Sequence, residues 1–171
     1  MLCLSHQNSE CRVEDVDFIV GIDTNPDLWR FDDHFEWDKE KVKKGIVEKI
    51  NSDWYRHYII KMNDSAKTPI GIFYIWKYVE SRKSWEIGYC ILSEYQQQGY
   101  CSEAASIVLK HAFEDFGAHK VVAMCNAFNG PSFSVLENLS FKREGIFRQK
   151  LPWGDKWADQ YFYALLDSEY Q

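Results

Sequence analysis

The chain has 171 residues, of which 46% are hydrophobic, 16% aromatic and 27% charged, with a net charge of −6. These are the proportions of one globular domain spanning residues 1–171, and they exclude a disordered chain, a fibrous protein and a small disulfide scaffold. No apolar run approaches the roughly 20 residues that cross a bilayer, the first seven residues lack the blocks of a signal peptide, and no Lys/Arg cluster offers a grip on phosphates, so neither membrane nor nucleic acid is an expected partner.

Residues 1–10 have no decisive pattern; a short first strand at 1–5 fits them, with a turn at Asn8, Ser9 and Glu10. The i, i+3 pairs Val13/Val16 and Val16/Ile19 predict a helix over 13–24, ended by Asn25-Pro26. Residues 27–38 interleave five acids with Trp29, Phe31, Phe35 and Trp37 and have no clean period, so they read as an acidic-aromatic loop. Asp38 is a suitable N-cap for a helix carrying Val42, Ile46, Val47 and Ile50. The period then changes. Residues 54–62, 70–79 and 85–92 are rich in aromatic and β-branched side chains and read as three strands of an antiparallel meander.

Residues 99–117 return to a helical period, with Ala105, Val108, Leu109, Ala112, Phe113 and Phe116 on one face and Gly117 as the stop. A strand over 119–128 follows. Asn129 caps a short helix with Pro131 in its first turn, and two strands at 141–151 and 159–166, joined by a turn at 152–155, close the chain. Helices, a meander, then helix, strand, helix and hairpin predict an α+β fold with a mixed sheet.

The stretch with chemical content is the junction between the strand at 85–92 and the long helix, through Gln96, Gln97, Gln98 and Gly99. The first N–H groups of a helix have no intrahelical partner and lie at the positive end of its dipole, which makes them an anion site suited to phosphate. Gly99 removes a Cβ where a phosphate would approach. An ordinary strand–turn–helix junction with a turn glycine is the competing reading of the same residues.

Beyond that reading, Gln96-x-x-Gly99-x-Cys101 followed by Glu103-Ala104 resembles motif A of the GNAT acetyltransferase superfamily, Q/R-x-x-G-x-G/A. Asn129-x-x-Ser132, with Val135, Leu136, Glu137, Leu139 and Phe141 after it, resembles a second segment of the ribosomal-protein N-terminal acetyltransferase branch, the RimJ/RimL-like enzymes. Glu144-Gly145 with Arg148, and the ending with Gly154, Trp157, Asp159 and Tyr163, resemble that branch too. The match covers about residues 54–170. Cys101 and Ser140 stand where the family usually has a smaller residue, and Leu136 stands where many members have a Tyr that protonates the leaving thiolate.

The resemblance implies a GNAT fold: a mixed, mostly antiparallel sheet of six or seven strands, splayed at its centre and flanked by helices on both faces. It implies acetyl-CoA as donor, without a metal. The diphosphate would lie on the N–H groups of Gln97, Gln98, Gly99, Tyr100, Cys101 and Ser102, with Gln96 in the motif. The pantetheine would part the strands at 85–92 and 119–128, with Asn129 and Ser132 near the acyl end. Glu86 is the expected general base, N–H groups near Leu92 the oxyanion donors, and Ser132 a weak acid toward the sulfur. Trp29, Asp32, Asp33 and Trp37 are expected to border the acceptor amine.

The expected acceptor is a protein or peptide N-terminal amine. A polyamine or aminoglycoside acceptor, and a non-catalytic CoA-binding module, remain the alternatives, with a monomer or homodimer as the assembly. Cys3, Cys11, Cys90, Cys101 and Cys125 are odd in number and scattered, without C-x-x-C, which suits reduced thiols in the cytoplasm. The five His form no ligand set, so no metal site is expected. Cys101, at a helix N-terminus, is expected to have a lowered pKa and to be alkylated faster than Cys90 or Cys125.

Overall fold

A computed structural model describes residues 2–6, 13–32, 36–50 and 52–170, with side chains from Asp15 onward. Strand β1 (Leu2–His6) is followed by helices α1 (Val13–Asp23) and α2 (Lys39–Ile50). Strands β2 (Tyr55–Met62), β3 (Pro69–Val79) and β4 (Ser84–Ile91) form the meander, and α3 (Tyr100–Lys110) leads into β5 (Lys120–Asn126). Helix α4 (Gly130–Asn138) and the hairpin β6 (Lys142–Trp153) and β7 (Lys156–Leu166) complete the order. The seven strands form one sheet in the order β1-β2-β3-β4-β5-β7-β6.

The local signals act as physics requires. Asp38 Oδ1 accepts from the N–H groups of Glu40 and Lys41 at 3.0 and 3.2 Å, which starts α2. Asn129 Oδ1 accepts from Ser132 N–H at 3.2 Å with Pro131 behind it, which starts α4. Helix α3 continues into a wider π-type turn over His111–Asp115, and Gly117 at φ +62° ends it. The closing hairpin turns on two residues, with Gly154 at φ +60°, so β6 runs two residues further than the sequence suggests. The turn expected at Asn8, Ser9 and Glu10 lies outside the described residues.

Strand alternation divides the core between the two faces. One face carries Phe73, Ile75, Trp85, Ile87 and Ile91 against Ala105, Val108 and Leu109 of α3. The other carries Ile59, Ile72 and Cys90 against Ile19, Val20 and Ile22 of α1 and Ile46 of α2.

The sheet is not continuous at its centre. Parallel strands β4 and β5 pair only at Ser84↔Lys120, Trp85↔Val121 and Glu86↔Val122. Past Glu86 they part, whereas β5 stays paired with β7 along its whole length. The sheet therefore opens as a wedge whose apex is Glu86. No described helix is long and apolar enough to cross a membrane.

Candidate active site

Two cavities meet at the open end of this wedge. The larger, about 520 Å³, runs along the turn before α3; the smaller, about 320 Å³, lies under the acidic-aromatic loop on the α1/α2 face.

The larger cavity is lined by Gln96, Gln97, Gly99, Tyr100, Cys101 and Ser102, and by Asn129 and Ser132 from the start of α4. Gln97 and Gly99 both take left-handed backbone conformations, at φ +59° and +84°. This coils the turn so that α3 begins abruptly. The first helical bond of α3 is Glu103 N–H to Gly99 O, 3.1 Å, which leaves the N–H groups of Tyr100, Cys101 and Ser102 without an intrahelical acceptor. The side chain of Gln96 donates to Ile91 O at 2.9 Å and pins the turn to the end of β4. That of Gln98 donates to Glu94 O at 2.9 Å, and Gln98 lines neither cavity. The groove thus fits a diphosphate through its main chain.

One expectation is narrowed here and another fails. The Leu92 N–H is engaged in the sheet, on Ile70 O at 2.9 Å, so it is no free oxyanion donor. That same bond fixes the antiparallel alternation: Cys90, Gly88 and Glu86 bond toward β3, and the main-chain groups of Ile87, Tyr89 and Ile91 turn toward the gap. The failure is Cys101. Burial pushes its thiol up to about 12, where Cys90 and Cys125 also stand. Its side chain packs against the main core, and desolvation of a thiolate there outweighs the fraction of a charge at the helix end.

The smaller cavity is built from side chains. Glu86, at the apex, shares its wall with Trp29, Phe31, Asp32, Tyr74 and Trp76. No hydrogen bond or ion pair is seen at the Glu86 side chain among the described residues, and burial alone raises its carboxyl to about 7. Trp29 Nε1 donates to Ile22 O at 3.1 Å, and its ring stacks on Tyr74 at 6.2 Å. Tyr74 lies directly over Gly88, where any Cβ would come within 2.2 Å of the ring. The loop is held over the cavity by Asn126, whose Nδ2 donates to Phe31 O at 3.2 Å, and by the stack of Phe31 on Trp153 at 5.4 Å.

Of the residues expected at the acceptor, Trp29 and Asp32 line the cavity, Asp33 lies outside the described residues, and Trp37 does not belong. Trp37 is 64% exposed and lines neither cavity, because it sits at the end of the loop, just before the N-cap of α2. Sequence reasoning missed Tyr74, Trp76, Asn126 and Tyr89. The first two share the face of Glu86 by alternation and register, Trp76 being directly across from it. Asn126 carries the weaker signal of a polar residue ending a buried strand. Among the described residues no three His, Cys, Asp or Glu are grouped to hold a metal.

Comparison with known proteins agrees with this fold. Residues 9–142 match the model of the acetyltransferase (GNAT) domain. An uncharacterized N-acetyltransferase, YnaD, of Bacillus subtilis is 33% identical over 131 residues, covering 77% of this chain and 76% of its own. A putative ribosomal N-acetyltransferase, YdaF, of the same organism is 26% identical, covering 72% of this chain and 70% of its own. The same fold is seen in spermidine N-acetyltransferase from Vibrio cholerae in complex with CoA and spermine, at 19% identity and a TM-score of 0.86 over 99% of this chain and 97% of that one.

Proposed function

Because the chain belongs to the GNAT acetyltransferase family, we propose that it transfers the acetyl group of acetyl-CoA to a primary amine, the terminal amine of a protein or peptide, with Glu86 as the base. The larger cavity takes the donor. Its diphosphate rests on the N–H groups at the start of α3, and its pantetheine enters the gap between β4 and β5, where the main-chain groups of Tyr89 and Ile91 point. One of these N–H groups serves the oxyanion. The amine approaches from the smaller cavity.

The observation that carries the acceptor reading is Glu86 at the apex of the wedge, in the wall of the smaller cavity, where burial raises its carboxyl to about 7. An amine must lose its proton before it attacks. For a terminal α-amine, with a pKa of about 8, transfer to such a base is uphill by about 1 kcal/mol. For an alkylamine at about 10 it is uphill by about 4–5 kcal/mol. The base is therefore matched to the α-amine, and the putative ribosomal acetyltransferase among the relatives fits a RimJ/RimL-like role. A second reading has a polyamine in the cleft. Asp32 and Glu86 in one wall suit a multiply charged cation, and the spermidine enzyme shares the fold. The cysteines described, Cys90, Cys101 and Cys125, stand free, which fits a reducing compartment such as the cytoplasm.

The test is CoA release from acetyl-CoA with three acceptors: a short peptide with a free N-terminus, the same peptide N-acetylated, and spermidine. The α-amine reading expects turnover with the first and none with the second. Spermidine turning over at least tenfold better than the free peptide replaces it with the second reading.

A further inference from the structure

Residues 27–32 form a wall shared by the two cavities. Asp27 and Arg30 line the larger, Trp29 and Asp32 the smaller, and Leu28 and Phe31 both. One turn makes this division. The Asp32 N–H donates to Trp29 O at 2.9 Å, so Trp29 and Asp32 close the turn on the acceptor side, with Arg30 and Phe31 at its tip. Among the described residues, Arg30 is the one Lys or Arg that lines the larger cavity. Its guanidinium makes no hydrogen bond or ion pair among the described residues, not even with Asp27, and its Cζ lies 5.0 Å from the centre of the Phe31 ring. That ring is itself fixed by its stack on Trp153, and its main chain by Asn126. An arginine resting on an aromatic ring keeps its N–H edge free for an anion.

We propose that Arg30 takes the diphosphate of the donor and that this contact seats the turn at 29–32, so that acetyl-CoA completes the wall against which the amine binds. The chain carries a net charge of −6 and the donor is anionic. The N–H groups at the start of α3 answer that charge with about half an elementary charge. A guanidinium adds a whole one, with a fork of donors that matches a phosphate. The pantetheine arm is neutral and offers Arg30 no comparable partner. The groove thus keeps its main-chain grip on the donor and gains one side chain from the acceptor side. The turn is short and closed by its own hydrogen bond, so Trp29 and Asp32 are held when its tip is held. With the donor in place the tip is fixed twice, by the diphosphate at Arg30 and by Asn126 at Phe31. Arg30 is therefore a positioning residue for the acceptor side.

This inference rests on the acetyl-CoA reading, and it can be tested without an acceptor. Hydrogen exchange of the full chain is followed with and without CoA, and affinity is measured by calorimetry. In the parent, CoA slows exchange at 97–102 and at 27–32. In Arg30→Ala it slows exchange at 97–102 alone, and CoA affinity falls about tenfold. Arg30→Lys keeps the charge without the fork and recovers part of that loss. Dephospho-CoA, which retains the diphosphate, shows the same tenfold loss. The inference is overturned by parent-like affinity in Arg30→Ala, by a loss that vanishes with dephospho-CoA, or by a response at 27–32 that is absent in the parent or survives Arg30→Ala. Each of these leaves the acetyl-CoA reading standing, because 97–102 still responds. CoA that alters exchange at neither segment overturns both.

Discussion

The two cavities hold opposite kinds of chemistry. The groove before α3 presents main-chain N–H groups, fixed by two left-handed residues and one side-chain tether from Gln96. The cleft under the loop presents Glu86, Asp32 and a set of aromatic rings, and its floor depends on a ring that tolerates no Cβ at Gly88. A site made of backbone survives changes of side chain, and Cys101 in place of a smaller residue leaves its N–H group in position. A site made of side chains changes its ligand with each substitution. The donor is thus set by the fold and the acceptor by a few residues.

The sharpest way to break this contrast is Glu86→Gln. It should lower kcat by about a hundredfold or more while CoA affinity is unchanged. In the parent, rate should rise with pH through about 7 as Glu86 loses its proton, and this limb should disappear in the variant. Equal losses of donor binding and turnover would erase the division between the cavities. Next in size is Trp29→Ala. It removes a ring beside the amine and the stack on Tyr74, and should raise KM for the acceptor about tenfold with KM for acetyl-CoA unaltered.

Two changes act on stability. Folded, Glu86 keeps its proton to about pH 7; in the unfolded chain it releases it near 4.5. The fold therefore loses stability as pH rises between these values, and Glu86→Gln should be more stable than the parent above pH 7 by about 2 kcal/mol in urea melts, after discount for partial exposure. On the groove side, Gly99→Ala places a Cβ in open space but on a backbone at φ +84°. It should cost about 1 kcal/mol and weaken CoA about threefold, through conformation and not through a clash. The smallest effect belongs to Trp37→Ala. With its ring largely in solvent, stability should shift by less than about 0.5 kcal/mol and both KM values should hold.

The same contrast explains what could be read from the amino acids alone. The strands, α3 with its apolar face and the caps at Asp38 and Asn129 rest on local signals, and the structure reproduces them. The groove was expected through the resemblance of Gln96-x-x-Gly99-x-Cys101 to motif A, since a turn glycine ahead of a helix also fits an ordinary strand–turn–helix junction. Which N–H group near Leu92 faces the gap was not legible, because a strand residue's N–H direction depends on its partner strand, which fixed the Leu92 amide on Ile70. Cys101 was misjudged because position on a helix is visible in sequence and burial is not. Tyr74, Trp76 and Asn126 come to the cleft from β3 and β5, and Trp37 leaves it although it neighbours the acids. Each of these outcomes depends on long-range packing that no spacing records.

The central claim is that the wedge beyond Glu86 is where thioester and amine meet. A crystal structure of the chain with CoA tests it most directly. The account predicts the diphosphate within hydrogen-bond distance of the N–H groups of Gly99 to Ser102 and the pantetheine between β4 and β5. A diphosphate seated elsewhere, or β4 and β5 paired past Glu86 with the coenzyme outside, would contradict it.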